Sequence, residues 1–388
     1  MRQLTYIKKN TLEWWDINEP KMETAQDVIV RPLAAARCDG DKAFLFYDIT
    51  PMLQAGLALH YIDPITKNLF GKKPFKAPFA IGHECIAEII SCGDEVKHFK
   101  VRDKVIVPWA ISCGSCSHCL SGLTSKCLDA GETLISGFGF GESLGPWGGM
   151  VTDQFRVPYA DKMLVKVPSG LDPMSLASAS DNIPDGWRTV APYLKEKPGA
   201  PVLIVGGAAE SIGLYATGIA VALGSSRVDY LDYMPARLEI AKSLGANPIE
   251  MPKKDRSKWF RNNAPKISGA YPITVDASMN QDGIRFAIRS LAPGGICTSV
   301  GYYFQKGTSI PLMQMYANDS TLHTGISHPR ASLPDVLELI GSKKFQPEKI
   351  TTLLANWEDA AESFLERTTK VIVHRPSIFT EHVTYNSM

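Results

Sequence analysis

Four of the eight cysteines in this 388-residue chain fall within one short segment. Cys113, Cys116, Cys119 and Cys127 follow the pattern C-x2-C-x2-C-x7-C. Thiolates so close together along a loop can surround a tetrahedral Zn²⁺, and four of them leave no open coordination position, so the predicted site is structural. The bacterial ferredoxin run has a shorter last gap and a proline after its fourth cysteine, whereas Leu128 follows here. Zinc is therefore favoured over an iron–sulfur cluster, and reduced free thiols are the other alternative.

A glycine-containing turn is the second feature that could carry chemistry. The apolar strand predicted at Val202–Val205 leads into the run Gly206-Gly207-Ala208-Ala209-Glu210-Ser211-Ile212-Gly213. Apolar residues at helical spacing follow it and stop at Gly224. A strand, a glycine turn and a helix in this order predict a dinucleotide site, with Gly206 and Gly207 making the turn and Gly213 packing the helix on the sheet. The run is about two residues longer than the G-x-G-x-x-G pattern.

Two acidic residues bear on the choice of nucleotide. Asp232 ends the next predicted strand, Val228–Leu231, about twenty residues beyond the turn. A carboxylate there bonds the ribose hydroxyls and repels a 2′-phosphate, so NAD is favoured over NADP. Arg237 lies on the following helix and is set aside as a ligand of a 2′-phosphate. Glu210, near the start of the helix after the turn, would compete with a phosphate for that position.

A third, dispersed set consists of Cys38, His83 and Asp181. None would be convincing alone, since a lone cysteine is usually a small buried hydrophobe. Their local contexts are Cys38-Asp39-Gly40-Asp41 after a strand, Gly82-His83-Glu84, and Asp181 at the point where the rhythm of the chain changes. Before Asp181, short apolar runs alternate with Gly, Pro and Asp, which is typical of a β-rich domain. After Pro198, strands alternate with helices, which predicts a parallel sheet covered on both faces.

With these motifs together, the chain resembles the zinc-dependent medium-chain dehydrogenase/reductase family of the alcohol dehydrogenase type. The resemblance covers essentially the whole chain and extends to Gly148-Gly149, Phe155–Pro158 and Leu291–Gly295. It implies a GroES-like β-rich catalytic domain at residues 1–181 and a Rossmann, doubly wound parallel-sheet NAD-binding domain at residues 182–325. Residues 326–388 are expected to return to the catalytic domain, although periodicity alone leaves that segment open.

The resemblance also assigns roles to individual residues. Cys38, His83 and Asp181 match the catalytic zinc ligands, which leave a fourth position for water or substrate. Glu84 matches the acidic residue beside the metal, and Asp41 matches the carboxylate that orients the ligand histidine. The expected cofactors are two Zn²⁺ per chain and NAD. The residues assigned to NAD are Gly206, Gly207, Ser211, Ile212, Asp232, Val300, Gly301 and Asp185.

Two positions depart from the family pattern. Gly40 stands where members that oxidise alcohols carry Ser or Thr, whose hydroxyl starts the proton relay. Proton transfer then depends on water or on another group, or the oxidation of simple alcohols is poor. Asp185 replaces a threonine beside the nicotinamide, where a carboxylate would repel an anionic substrate or bond the ribose.

The substrate side of the site is expected to differ from that of typical members. Cys38 and His83 are 45 positions apart, which is more than usual. The additional segment at Phe44–Lys76 is rich in aromatic residues and is either a surface excursion with its own small core or a wall over the substrate cleft. Trp109 matches an aromatic residue that lines the pocket, with plain packing as the alternative.

Composition limits the partners of the chain. Its formal net charge of +1 does not indicate the excess of positive charge that is typical of proteins that bind nucleic acid or an anionic membrane surface. No apolar run is long enough for a transmembrane helix, and no signal peptide is recognised, so we expect a cytoplasmic protein. Family members pair through the last Rossmann strand, predicted here at Ile296–Val300, and a homodimer or homotetramer follows.

The predicted function is zinc-dependent hydride transfer between an alcohol, aldehyde or ketone and NAD(H). One alternative is a zinc-free quinone or enoyl reductase, against which Cys38, His83 and Asp181 argue. The other is a non-catalytic NAD(H)-binding protein that keeps the fold and the structural zinc. Gly40, Asp185 and Glu210 keep this alternative open. Metal content distinguishes them, because the enzyme requires two zinc ions per chain and the binding protein one.

Overall fold

The computed structural model describes residues 1–71, 73–131, 133–267 and 269–379. Lys72 of the additional segment and residues 380–388 of the closing segment lie outside these ranges. The strands of the described residues are β1 Arg2–Lys8, β2 Thr11–Asp16, β3 Val28–Ala36, β4 Phe79–Ala80, β5 Glu84–Cys92, β6 Lys104–Val107, β7 Phe155–Val157, β8 Val165–Lys166, β9 Val202–Val205, β10 Val228–Asp232, β11 Asn247–Glu250, β12 Tyr271–Asp276, β13 Leu291–Ser299, β14 Thr321–Thr324, β15 Leu353–Asn356 and β16 Val371–His374.

The helices connect these strands, and most of the longer ones lie in the second half of the chain. The α-helices are α1 Lys42–Phe46, α2 Ile49–Ala58, α3 Ile65–Phe70, α4 Ser117–Leu120, α5 Ala160–Met163, α6 Asn182–Glu196, α7 Glu210–Ala222, α8 Pro235–Ser243, α9 Arg256–Ile267, α10 Gln281–Arg289, α11 Leu312–Ala317, α12 Pro329–Gly341 and α13 Ala360–Ser363. Short 3-10 helices occur at Thr124–Lys126, Glu142–Leu144, Pro173–Ser180, Pro347–Ile350 and Trp357–Asp359.

The first half of the chain forms the β-rich layer together with β15 and β16 from the closing segment. One sheet has the order β15-β16-β3-β5-β6-β8 with β7 also paired to β3, and a smaller sheet has the order β2-β1-β4. Strand β3 is the centre of the larger sheet, and eight of its nine residues are buried because it carries strands on both edges and side chains on both faces. Except for the parallel β15–β16 pair, the pairings within this larger sheet are antiparallel.

The second half forms a parallel sheet of six strands in the order β11-β10-β9-β12-β13-β14. Its central strand β9 is fully buried and consists of Val and Leu/Ile residues, as a strand covered on both faces requires. Helix α7 follows β9 directly, and the strand order reverses between β10 and β12, which is where such sheets form a ligand crevice. The predicted combination of a β-rich GroES-like domain and a Rossmann sheet is confirmed.

One strand assignment was wrong. The sequence interpretation ended the parallel sheet at Ile296–Val300, but all of that segment except Val300 belongs to β13, which has neighbours on both sides. The outer strand is β14, Thr321–Thr324, and three of its four residues are exposed. Its alternation of polar and apolar residues is too short to identify a strand without its partner.

The closing segment is divided between the two layers. The apolar face of α12, including Leu333, Val336 and Ile340, packs into the same core as β9 and α7. The chain rejoins the β-rich sheet further on, where β16 pairs with β3 through Ile372 and Ala36. We therefore propose that the return to the catalytic domain begins near β15, rather than at residue 326.

The additional segment folds as three short helices, α1 to α3. Phe44, Leu53, Phe70 and Phe75 are buried in one apolar cluster that continues into the β-rich core. Of the helices in the described ranges, none combines the length and apolar character needed to cross a bilayer.

Candidate active site

The antiparallel pairing of β3 and β5 brings the first two candidate ligands together. In this register Ala36 lies opposite Glu84, so Cys38, just after β3, and His83, just before β5, are at the same end of the strand pair. Gly82 precedes the histidine with a φ of 92°, a left-handed conformation that L side chains rarely adopt. Two ligands that are 45 positions apart in the sequence are therefore close together in space.

Asp181 reaches the same point from the junction between a 3-10 helix and α6. The preceding residue, Ser180, anchors the junction to β5, because its hydroxyl donates to the Cys85 carbonyl and accepts from the Cys85 amide, both at 2.9 Å. Cys38 Sγ lies 3.3 Å from Asp181 Oδ2, and His83 Nε2 lies 3.5 Å from the same oxygen. The three ligand atoms are all within 4.8 Å of one another.

These three residues fit a tetrahedral zinc ion. Ligand atoms bound at 2.0–2.3 Å in a tetrahedron are about 3.3–3.8 Å apart, which agrees with the two separations above. His83 is buried, and neither of its ring nitrogens has a hydrogen-bond partner among the described residues. Burial, reinforced by the charge of Asp181, raises the pKa of the Cys38 thiol well above its ordinary value. A thiolate here therefore requires a cation beside it.

Asp41 faces the other side of the His83 ring. Its Oδ1 lies 3.5 Å from Nδ1, while its Oδ2 accepts the Cys38 amide at 3.0 Å. Burial lowers the pKa of His83, but the carboxylates of Asp41 and Asp181 outweigh burial and raise it. The ring is thus oriented with Nε2 toward Cys38 and Asp181, which is the arrangement that a ligand histidine needs.

Glu84 lies behind the three ligands and contacts two residues that the sequence interpretation missed. The fully buried Lys370 places Nζ 2.5 Å from Glu84 Oε2 and 2.8 Å from Asn182 Oδ1. The Asn182 side-chain amide in turn donates to Cys38 Sγ and Asp181 Oδ2, both at 3.1 Å. Lys370 stands just before the apolar β16 and is remote in sequence, so no local pattern identifies it. Asn182 is adjacent to Asp181 in the sequence, so of the two missed residues it was the easier to predict.

A cavity of about 170 Å³ opens in front of the three ligands. Apolar and aromatic side chains dominate its wall: Leu69, Phe70, Trp109, Ile135, Phe140 and Leu144. The Phe140 ring stacks on His83 with centroids 4.5 Å apart, and Trp109 packs edge-on against Phe140. Leu69 and Phe70 belong to α3, so the additional segment both extends the core and forms a wall of the cleft.

Gly206 and Gly207 lie in the turn between β9 and α7, where both are closely packed. A side chain at Gly206 would collide with the end of β10, and one at Gly207 would collide with the backbone of Ser278 at 2.6 Å. Neither glycine lines the cleft, which is bordered instead by Ala208, Ala209 and Glu210. The two glycines therefore let the turn pack closely against its neighbouring strands.

The remaining residues assigned to the cofactor lie around the same cleft. Ile212, Val300, Gly301 and Asp185 line it directly. Asp185 is paired with Arg188, Oδ1 to Nε at 2.5 Å. Burial raises the pKa of Asp185 to about 6 despite that pairing.

Asp232 is at the predicted position but is already fully bonded. Its Oδ1 accepts from the amides of Tyr233 and Met234 and from Arg237 Nη2, and its Oδ2 accepts from Tyr230 and from Arg237 Nε. The sequence interpretation assigned these oxygens to the ribose, whereas the structure pairs them with Arg237. Arg237 lies in the first turn of α8 and folds back onto Asp232. The two residues are five positions apart, and the periodicity of a β-strand does not predict this contact.

Gly40 lacks a hydroxyl although the site has room for a side chain. A Cβ atom on Gly40 would be 3.7 Å from Cys38 Sγ and 3.8 Å from the Tyr302 ring, both ordinary contacts. Its backbone is not left-handed, so nothing in the fold demands a glycine there. Residue 40 therefore supplies no proton-relay group.

The four clustered cysteines form a second candidate metal site. Their sulfur atoms lie within 4.8 Å of one another, and Cys113 Sγ accepts the amides of Ser115 and Cys116 at 3.4 and 3.3 Å. Burial opposes ionisation of Cys116, but amide donors including Leu128 outweigh it and lower the thiol pKa to about 6. This donor set fits a closed four-thiolate zinc site.

Two family models match the chain, one over the β-rich part and one over the part that contains the parallel sheet. The alcohol dehydrogenase GroES-like domain matches residues 24–169, and the zinc-binding dehydrogenase domain matches residues 211–342. Together they cover more than half of the chain. The chain belongs to the zinc-dependent medium-chain dehydrogenase family. It is a zinc-dependent oxidoreductase of the alcohol dehydrogenase type.

Individual relatives of this medium-chain dehydrogenase agree with the family assignment. A probable zinc-binding alcohol dehydrogenase of Mycobacterium tuberculosis is 25% identical over 346 residues, 89% of this chain and 80% of the relative. Sorbitol dehydrogenase of Bacillus subtilis is 26% identical over 377 residues, 94% of this chain and 92% of the relative. Alcohol dehydrogenase from Thermus sp. ATN1 has a TM-score of 0.80 at 24% identity, covering 96% of this chain and 99% of that structure, and supports the fold.

Proposed function

We propose that the chain catalyses hydride transfer between the carbon of an alcohol or carbonyl substrate and a nicotinamide, with a catalytic zinc held by Cys38, His83 and Asp181. The observation that carries the proposal is the convergence of a thiol, an imidazole and a carboxylate at the base of an apolar cleft beside the Rossmann sheet. A zinc ion at this position supplies Lewis-acid polarisation of an alcohol or carbonyl oxygen. Asp41, Glu84, Lys370 and Asn182 hold the three ligands in place.

The cleft supports an uncharged, largely apolar substrate. Its wall is built from Leu69, Phe70, Trp109, Phe140 and Leu144, and no lysine or arginine is among the described residues that line it. We therefore place the substrate among apolar or aromatic alcohols and their carbonyl counterparts.

The test is a screen of alcohols, aldehydes and ketones with both nicotinamide cofactors, read by NAD(P)H absorbance, together with the zinc content of the purified chain. We expect turnover and two zinc ions per chain, one at the dispersed ligands and one at the four cysteines. One zinc per chain, nucleotide binding and no turnover would instead support the non-catalytic alternative.

We further propose that NAD is preferred over NADP. Asp232 ends β10 at the position where a carboxylate disfavours a 2′-phosphate. Its two oxygens also accept from Arg237 Nε at 2.8 Å and Nη2 at 2.7 Å, so this guanidinium is already paired and is not free to bind a 2′-phosphate.

Replacing Asp232 by serine is expected to shift the preference toward NADP. The change removes one carboxylate and releases the Arg237 guanidinium, so we expect the ratio of kcat/KM for NADP to that for NAD to rise by about 10-fold or more. The double variant Asp232→Ser/Arg237→Gln should lose most of that gain. A wild-type enzyme that already prefers NADP would contradict the proposal.

We also propose a homodimer or homotetramer in the cytoplasm. The exposed edge of β14, Thr321–Thr324, offers unpaired backbone groups to a second copy of the chain. The reduced four-cysteine cluster suits a reducing compartment.

A further inference from the structure

The N-terminus of α7 is capped from outside its own segment. The residue before the helix is Ala209, whose side chain cannot accept a hydrogen bond. The Asp39 carboxylate takes that role: its Oδ2 accepts the Ser211 amide at 2.7 Å, the Ile212 amide at 3.1 Å and the Ser211 hydroxyl at 3.0 Å. Asp39 and Ser211 are both buried.

This position is where a Rossmann fold receives an anion. Amides at the start of the helix after the first strand carry partial positive charge and bind the diphosphate of a dinucleotide. Here α7 follows β9, the first strand of the parallel sheet, and its second and third amides already serve Asp39. The protein's own carboxylate therefore fills the place that the diphosphate needs.

The surrounding charges form one continuous network. Lys42 Nζ lies 3.5 Å from Asp39 Oδ1 and 2.8 Å from Glu210 Oε2, and Glu210 Oε1 lies 3.1 Å from Arg237 Nη1. Asp39, Lys42, Glu210 and Arg237 all line a cleft that continues from the substrate cavity past Gly40. Lys42 can therefore form an ion pair with either anion, the Asp39 carboxylate or a phosphate that replaces it.

We propose that Asp39 is an internal competitor for the diphosphate of the cofactor. The inference rests on the proposed use of a dinucleotide. A bound diphosphate displaces the Asp39 carboxylate from Ser211 and Ile212 and takes over the contact with Lys42. Asp39 thereby weakens cofactor binding and favours cofactor release, acting as a positioning residue on the diphosphate rather than on the reacting carbon.

The experiment compares Asp39→Asn and Asp39→Ser with the wild type by calorimetric titration of the full-length, zinc-loaded protein. Both substitutes are neutral and can still accept a hydrogen bond at a helix start. The probes are ADP-ribose, which carries the diphosphate without the nicotinamide, and adenosine, which has no phosphate. Asp172→Asn is the matched control, because Asp172 caps the Pro173–Ser180 helix by accepting the Met174 amide at 3.1 Å.

We expect the Kd for ADP-ribose to fall by about 10-fold or more in the Asp39 variants, since one buried negative charge beside the diphosphate is removed. Adenosine binding should not change, and Asp172→Asn should bind both probes as the wild type does. A merely structural cap would predict the opposite, a lower melting temperature together with weaker ADP-ribose binding.

Two results would overturn the inference and are separable. If the wild type binds ADP-ribose and the Asp39 variants bind it equally well or more weakly, the competitor role is excluded. The same holds if the variants also gain affinity for adenosine. Either result leaves the proposed function intact. Absence of ADP-ribose and NADH binding in the wild type and both variants removes the competitor role and the proposed dinucleotide together.

Discussion

His83→Ala is expected to abolish turnover while leaving NADH binding nearly unchanged. The substitution removes one of three ligand atoms that meet within 4.8 Å, and a chain that loses the ion loses its Lewis acid. Lewis-acid polarisation is worth several kcal/mol in the transition state, so kcat/KM should fall by about 1,000-fold or more. Steady-state kinetics, NADH fluorescence titration and zinc analysis measure the three quantities on the same preparation.

His98→Ala is the matched control for that experiment. The His98 side chain is 70% exposed and lies 3.6 Å from Asp161, on the surface of the β-rich layer. It should keep wild-type activity and two zinc ions per chain, whereas His83→Ala should keep one. Residual activity above a tenth of wild type in a His83→Ala protein with one zinc would remove Cys38, His83 and Asp181 from the mechanism.

Cys119→Ser is expected to produce the largest loss of stability. The lobe around the four cysteines has little apolar core of its own, since Leu120, Leu123 and Leu128 are 75%, 43% and 56% exposed. Its order therefore depends on the thiolate cluster, and metal binding of this kind contributes directly to folding free energy. We expect the loss of one zinc per chain and of about 3 kcal/mol or more of unfolding free energy.

The lobe is also connected to the active site. Ser125 Oγ donates to the Ser327 carbonyl at 2.6 Å, and Ser327 Oγ donates to the Asp181 carbonyl at 3.2 Å. Loosening the lobe should therefore lower activity as well as stability. Cys92→Ser is the control, because Cys92 lies outside both clusters, in β5. Two zinc ions per chain and an unchanged melting curve in Cys119→Ser would contradict the structural role.

Features encoded by neighbouring residues were predicted from the sequence. The four cysteines lie within one loop, so their spacing alone indicated a metal-binding cluster. The β9–turn–α7 unit also follows from local rules, because a buried strand is a short apolar run and a helix shows a repeat near 3.6 residues. The fold class followed from the alternation of such units. Cys38, His83 and Asp181 needed the family resemblance in addition, since no local rule joins residues so far apart.

The tertiary structure decided which partners those residues meet. Lys370 reaches Glu84 across 286 positions, and Asp39 reaches the start of α7 across 172. Asp232 was correctly placed at a strand end, yet its bonding to Arg237 depends on how α8 turns back. The sequence likewise predicted β13 as the edge of the parallel sheet, whereas the strand pairing shows that β14 is the outer strand. Side-chain charges and hydrogen bonds act over a few ångströms in space, whereas sequence patterns report only spacing along the chain. For this reason the sequence indicated the candidate zinc ligands only together with the family resemblance, and it did not indicate that Asp39 contacts the start of α7.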